Sequence, residues 1–211
     1  MGTAAVRTRV KVCGITRPAD ARAAAEAGAD AIGLVFYPPS PRYLSVERAL
    51  EIRDALPPFV QTVALFVNPD AAQVAQVIGR IKPGLLQFHG EETPAFCKQF
   101  GVPYAKACRV EAGVDLLEYL RPFADAAAWL LDSFVAEYGG VGERFDWSLV
   151  PARRERPLIL SGGLARDNVA EAVRRVRPWG VDVSSGVESA KGIKDAAKIA
   201  AFIAEVRHAD V

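Results

Sequence analysis

Short apolar runs alternate with longer segments of helical periodicity along the chain. Each run is rich in Val, Ile, Leu and Phe, and the stretch after it is rich in Ala and charge with apolar residues about every 3.6 positions. The runs predict eight strands, at 9–13, 31–36, 62–67, 85–89, 104–108, 129–132, 158–161 and 181–184. The periodic stretches predict helices near 18–27, 46–55, 70–80, 92–100, 112–121, 147–152, 167–176 and 193–206.

This alternation predicts an α/β fold with a parallel sheet, because parallel neighbours need a crossover connection. Eight strand–helix units in 211 residues fit a compact (β/α)8 TIM barrel. An open doubly wound sheet is the alternative, but it normally has fewer units and a glycine-rich first turn, whereas this chain has Cys13-Gly-Ile-Thr there. We therefore expect one barrel domain over residues 1–211, with residues 1–8 as an N-terminal extension.

Composition argues against several classes of protein. The chain has 26 Lys and Arg against 25 Asp and Glu, which is unfavourable for nucleic-acid binding because phosphates need a basic surplus. It has no apolar run of about 18 residues and no secretory signal pattern, so we expect no membrane span and no export. Its 3 cysteines lack a CxxC spacing, which argues against disulfides and structural zinc. We expect a cytoplasmic protein.

Reactive side chains stand at the predicted carboxyl ends of four strands, where barrels carry their active sites. They are Cys13, His89, Cys108 and Asp132. We expect Cys108 to be structural, as we do the helical Cys97, since cysteine is a common buried residue. A metal site is not expected, because no second histidine or carboxylate cluster accompanies His89 at ligand spacing.

The sixth strand is followed by a long glycine-rich loop over 133–145. Such a loop suits a mobile cover over a site at the barrel mouth.

The two-residue period of a strand predicts which side chains face the barrel axis. Lys11 and Cys13 share one face of the first strand, and Asp182 and Ser184 share one face of the eighth. These strands become neighbours when the barrel closes, and a buried lysine without a partner would be unfavourable. We therefore predict an ion pair between Lys11 and Asp182, and we expect Lys11 to help lower the pKa of the Cys13 thiol.

Glycine and serine follow the last two strands. Gly162 and Gly163 come after the seventh, and Ser184, Ser185 and Gly186 come at the end of the eighth. Glycines let backbone N–H groups approach an anion, and barrels frequently bind phosphate at this place. Ordinary tight turns are the alternative, because these residue types fill turns anyway. Both motifs at one end of adjacent strands favour a phosphate site.

Together these residues resemble the phosphoribosylanthranilate isomerase family of tryptophan biosynthesis. The most specific segments are 10–16 (VKVCGIT) and 181–188 (VDVSSGVE). The other matching segments follow in order: 33–43 (GLVFYPPSPRY), 63–67 (VALFV), 86–90 (LQFHG), 130–132 (LLD), 138–142 (YGGVG), 145–147 (FDW) and 160–164 (LSGGL). The resemblance implies a TIM barrel that performs an Amadori rearrangement of N-(5-phosphoribosyl)anthranilate without a cofactor.

The resemblance also implies roles for individual residues. Asp132 would be the general acid that opens the furanose ring to a Schiff base, and Cys13, as a thiolate, the general base that removes the C2 proton. Lys11 would be structural support. The residues expected to bind substrate are Arg42, His89, Gly162, Gly163, Asp182, Ser184, Ser185 and Gly186. Within this set Arg42 would bind the anthranilate carboxylate, because its planar fork suits bidentate contacts.

Two other functions fit the same scaffold. The isomerase of the histidine pathway acts on a related aminoaldose, but that family has Asp at the end of its first strand, where this chain has Cys13. A non-catalytic phosphosugar-binding barrel would keep the phosphate site, and the presence of both Cys13 and Asp132 argues against it. As partners we expect a small-molecule phosphosugar, no nucleic acid and no membrane, with the chain as a monomer or homodimer.

Overall fold

The computed structural model is a closed barrel of eight parallel strands surrounded by helices, and it describes residues 7–110, 115–133 and 146–210. The barrel strands are β1 (Arg9–Cys13), β2 (Ala31–Val35), β3 (Gln61–Phe66), β4 (Leu85–Phe88), β5 (Tyr104–Val110), β6 (Ala128–Ser133), β7 (Leu158–Leu160) and β8 (Gly180–Val183). Each strand pairs with the next, and β8 pairs with β1. The predicted TIM barrel is confirmed, and the open sheet is excluded by this closure.

The helices lie outside the strands and connect them. They are α1 (Pro18–Ala27), α2 (Val46–Asp54), α3 (Ala71–Ile81), α4 (Pro94–Lys98), α5 (Leu116–Leu120), α6 (Val169–Val176) and α7 (Ala196–Ala209). Local signals set several ends: α1 stops at Gly28, whose φ of 96° is left-handed, and the side chains of Ser45 and Asp70 accept backbone N–H groups at the starts of α2 and α3. In place of the helix predicted near 147–152 there is one 3-10 turn, Trp147–Leu149.

The largest difference from the sequence prediction lies after β8. A helix was expected from residue 193, but the chain first forms an antiparallel hairpin of β9 (Glu188–Ala190) and β10 (Ile193–Lys194). The following helix α7 begins only after Asp195, whose side chain caps it by accepting the Lys198 N–H. The hairpin is held by tertiary contacts of Lys194, described below, and such contacts leave no trace in local periodicity.

Side chains alternate between the two faces of the barrel sheet. Val10 and Val12 point outward into the main core shared with the helices, whereas Lys11 points inward. Near the amino ends of β5–β7 the interior is closed by a small apolar cluster of Ala105, Ala107, Ala128, Leu130 and Ile159. Because this cluster fills the barrel near the amino ends of the strands, room for a ligand is left at their carboxyl ends.

The first residues described are tied to the barrel. Arg7 pairs with Asp30, and the Thr8 N–H donates to Asp210 Oδ2 at 2.9 Å. Residues 1–6 lie outside the described residues, so the expected N-terminal extension over 1–8 stays a prediction. Among the helices of the described ranges, none has the length and apolar character needed to span a membrane.

Candidate active site

A cleft opens at the carboxyl ends of the barrel strands. It is concave and combines apolar with polar side chains, which suits a small-molecule ligand. It is lined by Cys13, Val35, Tyr37, Ser40, Arg42, Leu65, Val67, Gln87, His89, Asp132, Ser161, Gly162, Gly163, Leu164, Asp182, Ser184 and Ser185. Of the residues that the sequence assigned to the site, only Lys11 and Gly186 are absent from this lining.

The predicted ion pair between Lys11 and Asp182 is present below the cleft. Lys11 Nζ donates to Asp182 Oδ2 at 2.8 Å, and the two residues are 6% and 4% exposed. Burial raises the pKa of Asp182, and the charge of Lys11 opposes this effect. The second oxygen, Oδ1, is buried and has no hydrogen-bond partner among the described residues. Because an unsatisfied buried acceptor is unfavourable, this oxygen indicates a position for a ligand donor.

Cys13 ends β1 directly beside this pair. Burial raises the pKa of its thiol, while the neighbouring charge of Lys11 lowers it by a smaller amount. Lys11 therefore acts in the expected direction, but burial outweighs it and the pKa of the thiol is raised overall. Gly33 on β2 leaves the room that the thiol occupies, since a Cβ there would lie 2.6 Å from Sγ.

A second group of polar side chains comes from β4 and β6. His89 Nε2 lies 3.1 Å from Asp132 Oδ2, and Gln87 Nε2 lies 3.1 Å from His89 Nδ1. With the Gln87 amide donating to Nδ1, His89 carries its proton on Nε2 and donates it to Asp132. The Ser133 N–H donates to the other oxygen of Asp132 at 2.9 Å. These bonds hold the Asp132 carboxyl in a fixed orientation.

His89 was expected to contact a ligand, and its bond to Asp132 was not predicted. Gln87 and His89 lie two residues apart on the inward face of β4, and this spacing was the available signal. The glycine-rich loop expected to cover the cleft falls almost entirely on residues 134–145, which lie outside the described residues.

The glycines after β7 adopt backbone conformations that other residues rarely adopt. Gly162 has a φ of 82° and Gly163 a φ of 60°, and a Cβ on Gly162 would lie 2.4 Å from the Ser133 nitrogen. Gly186, in contrast, lies outside the cleft. It packs against Leu164, where a Cβ would lie 2.0 Å from the carbonyl oxygen, and it lines a separate groove beside α6 and α7. The predicted contact of Gly186 with the ligand stays a prediction, and its missing Cβ allows close packing of the two loops.

Arg42 lines the cleft but already holds a carboxylate of the protein. Its Nε and Nη2 donate to Glu188 Oε1 and Oε2 at 2.7 and 2.8 Å, and both side chains are almost completely buried. The Nε–Nη2 side of the guanidinium is therefore occupied, so the bidentate contact expected with a substrate would have to use the Nη1–Nη2 end. Within the described residues nothing bonds Nη1, which is left for the cleft. Gly14, with a φ of 72°, makes room for Arg42, because a Cβ there would lie 2.3 Å from Cδ.

Glu188 also binds a lysine that the sequence analysis missed. Lys194 Nζ donates to Glu188 Oε1 at 2.8 Å and to Ser184 O and Oγ at 3.1 and 3.2 Å, and its side chain has no exposed surface. Burial would raise the pKa of Glu188, but hydrogen bonds from Arg42 and Lys194 outweigh it and leave that pKa below its ordinary value. Burial lowers the pKa of Lys194, and the bond to Glu188 opposes this. Glu188 lay inside the motif 181–188, but its pairing had no sequence signal.

The other two cysteines lie away from the cleft. Cys97 and Cys108 are buried in the main core, where burial raises the pKa of each thiol to about 12. No disulfide joins Cys13, Cys97 and Cys108. Packing in the core is the structural role expected for Cys97 and Cys108.

Comparisons with known proteins agree on one family. The sequence model of the family described as N-(5'phosphoribosyl)anthranilate (PRA) isomerase matches residues 10–205. The N-(5'-phosphoribosyl)anthranilate isomerase of Dechloromonas aromatica is 56% identical over 206 residues, which cover 97% of this chain and 99% of that protein.

Solved structures show the same similarity. A phosphoribosyl anthranilate isomerase in complex with reduced 1-(o-carboxyphenylamino)-1-deoxyribulose 5-phosphate is 41% identical with a TM-score of 0.85, covering 95% of this chain and 99% of that chain. A monomeric form of the dimeric phosphoribosylanthranilate isomerase from Thermotoga maritima is 39% identical with a TM-score of 0.84, covering 95% of this chain and 98% of that chain.

Proposed function

Because the chain belongs to the N-(5'-phosphoribosyl)anthranilate isomerase family, we propose that it converts N-(5-phosphoribosyl)anthranilate into 1-(2-carboxyphenylamino)-1-deoxyribulose 5-phosphate in tryptophan biosynthesis. The conversion is an Amadori rearrangement, in which no atom is gained or lost, so an acid and a base are sufficient. One observation carries this proposal: Cys13 and Asp132, from the separate strands β1 and β6, line the same cleft.

The cleft has two ends that suit the two halves of this substrate. After β7 and β8 it offers the left-handed glycines Gly162 and Gly163 together with Ser185, whose backbone groups suit a phosphate. On the side of β2 and β3 it is apolar, with Val35 and Leu65 available to pack against an aromatic ring. With the phosphate at the glycine end and the aromatic ring at the apolar end, the ribose lies across the middle of the cleft, between the two strands that carry Cys13 and Asp132.

Arg42 lies beside the apolar end and suits the anthranilate carboxylate. Its Nη1 is directed to the ligand in this proposal, while Glu188 holds the other two nitrogens in place. The free Nη1–Nη2 end of this fixed guanidinium can then make the charged contact with the carboxylate that the sequence predicts. Affinity for the carboxylate then depends on Glu188 as well as on Arg42.

The acid step belongs to Asp132 in this proposal. A protonated Asp132 donates to the furanose ring oxygen, the bond from C1 to that oxygen breaks, and the nitrogen lone pair forms the Schiff base. His89 and the Ser133 N–H support this step by fixing the carboxyl group. A well-placed general acid contributes about 10²–10⁴-fold to the rate.

The base step belongs to Cys13. Its thiolate takes the C2 proton, and the electrons of the C2–H bond form a double bond between C1 and C2. The π electrons of the iminium group move to nitrogen, and the resulting enolamine tautomerises to the ketone. The charge of Lys11 favours the thiolate within a buried site that disfavours it. The unpartnered Oδ1 of Asp182 is positioned to accept a hydroxyl or N–H of the substrate.

The direct test is incubation of the purified protein with phosphoribosylanthranilate, with the loss of substrate and the identity of the product followed together. We expect the wild type to form the aminoketose, and Asp132→Asn to lower kcat about 10²–10⁴-fold with its fold intact. Asp54→Asn, an exposed carboxylate on α2, is the matched control and should keep wild-type turnover. A wild type that binds the substrate and leaves it unchanged would indicate a binding protein, and turnover of the related histidine-pathway aminoaldose alone would indicate that isomerase. Near-normal turnover of Asp132→Asn would remove Asp132 from its role.

The cellular setting is part of the same proposal. The three buried free cysteines support a reducing compartment such as the cytoplasm. The dimeric relative from Thermotoga maritima supports a homodimer over a monomer, and sedimentation velocity distinguishes the two. The phosphosugar is the proposed small-molecule ligand, and no nucleic-acid partner is expected.

A further inference from the structure

Lys194 is a buried charged group that the mechanism above does not use. Its side chain has no exposed surface, and Lys194 is not part of the cleft lining. Three oxygens surround its Nζ: Glu188 Oε1 at 2.8 Å, Ser184 O at 3.1 Å and Ser184 Oγ at 3.2 Å. A buried lysine with three acceptors at hydrogen-bond distance is held in one position.

The donor inventory of lysine determines what Ser184 can do. An ammonium group has three donors and no acceptor, so Ser184 Oγ must accept the bond from Lys194. The O–H of Ser184 is then left to donate elsewhere. Ser184 lines the cleft, and no other hydrogen bond to its hydroxyl occurs within residues 7–110, 115–133 and 146–210. The hydroxyl hydrogen is therefore available to a ligand in the cleft.

The charges of the same cluster also favour an anion in the cleft. Arg42 and Lys194 share the single carboxylate of Glu188, so the three side chains together hold one net positive charge. Lys11 and Asp182 balance each other and do not offset it. Buried charge without a counterion is unfavourable, and an anionic ligand would supply the counterion.

We propose that Lys194 is a positioning residue for the phosphate of the substrate. It binds Ser184 Oγ from behind, so that the Ser184 hydroxyl donates to a phosphate seated beside Gly162 and Gly163, and Glu188 holds Lys194 in place. This inference rests on the phosphate end of the proposed function. It assigns to Lys194 an effect that passes through Ser184 and involves no contact with the ligand.

A double-mutant cycle on phosphate affinity tests this coupling. Binding of inorganic phosphate is measured by titration calorimetry for the wild type, Ser184→Ala, Lys194→Met and the double variant. Each single change should weaken binding about tenfold, the loss typical of a hydrogen bond to a charged group. The double variant should also lose about tenfold and not a hundredfold, because the two residues act as one unit. Lys198→Met is the matched control: this exposed lysine contacts the same hairpin through Glu188 O and should leave phosphate binding unchanged.

Three results would overturn the inference. They are additive losses near a hundredfold in the double variant, wild-type affinity in Lys194→Met, and no binding of phosphate by the wild type. Circular dichroism checks the fold of each variant, and Lys194→Leu, which also has no donor, replaces Lys194→Met in the cycle with the same criteria if the latter does not fold.

Turnover of phosphoribosylanthranilate is measured on the same preparations. If the wild type binds phosphate and the variants show the expected coupling, but the substrate is not isomerised, the proposed function alone is contradicted. If the wild type isomerises the substrate but the double variant shows additive losses of phosphate affinity, only the inference on Lys194 is contradicted.

Discussion

Two buried lysine–carboxylate pairs lie on opposite faces of the same barrel sheet. Lys11–Asp182 is on the inner face with an N–O distance of 2.8 Å, and Lys106–Glu92 is on the outer face at 2.9 Å. Both oxygens of Glu92 also accept backbone N–H groups from neighbouring loops, whereas Asp182 Oδ1 has no partner within the described part of the chain. The outer pair is complete without a ligand, and the inner pair leaves an acceptor that lines the cleft. Hydrogen-bond satisfaction, and not burial, distinguishes the structural pair from the candidate functional one.

The two strand cysteines show the same contrast. Cys13 and Cys108 are both buried, 7% and 2% exposed, and burial raises the pKa of each thiol. Cys13 faces the cleft with Lys11 beside it, while Cys108 packs among the apolar side chains of the outer layer. The face of the strand, and not the residue type or its burial, separates a candidate base from a core residue.

The largest expected effect on turnover comes from removing each of the two thiols in a separate variant. Cys13→Ala should lower kcat about 10²–10⁴-fold, because the proposed base is removed, and should leave the fold intact. Cys108→Ala should cost about 1 kcal/mol of unfolding free energy and keep turnover within twofold. Steady-state kinetics and thermal unfolding of both variants provide the comparison. Equal losses of turnover in the two variants would end the distinction between the faces.

The two ion pairs should separate in the same way. Glu92→Gln and Asp182→Asn each leave a buried lysine without its counterion, which should cost about 3–5 kcal/mol of stability. Only Asp182→Asn should also lower kcat/KM, by at least about tenfold, because the amide oxygen is needed by Lys11 and the NH2 group, a donor, then takes the place of the acceptor in the cleft. Both are assayed at a temperature where circular dichroism shows each variant folded. Lost turnover in folded Glu92→Gln would show that the outer pair acts on the site as well.

A smaller effect is expected from adding one methyl group to each layer. Gly33→Ala on β2 places a Cβ 2.6 Å from Cys13 Sγ and 3.0 Å from Lys11 Nζ, so the thiol must shift, and kcat should fall about tenfold. Gly79→Ala on the outer helix α3 meets no atom within 4 Å and should raise stability by about 0.4–1 kcal/mol with turnover unchanged. Wild-type kcat in Gly33→Ala would mean that the position of the thiol is less critical than proposed.

The inner face was predictable to a large extent from the sequence. Strand alternation, a local rule, placed Lys11 and Cys13 on one face, and the closure expected of an eight-stranded barrel placed Asp182 next to them. The glycines after β7 were predictable for a similar reason, since positive φ values favour that residue type. The bond from His89 to Asp132 was not, although each residue was assigned to the site separately.

The hairpin after β8 marks the limit of such prediction. Its segment has a composition compatible with the start of a helix, and the sequence analysis extended α7 back to residue 193. The structure instead inserts Lys194 between Glu188 and Ser184 and gives Arg42 a protein carboxylate as its partner. These contacts join segments that follow β2 and β8 and lie outside the barrel strands, so strand alternation does not report them.

Hydrophobic periodicity and turn chemistry act over a few residues, and they were enough to predict the barrel, its strands and the reactive groups at their ends. Packing of distant segments set which charged groups bind each other at the mouth: Glu188 with Arg42 and Lys194, and His89 with Asp132. Pairing of buried charges depends on which side chains the closed barrel brings within hydrogen-bond distance, and that distance exists only after folding.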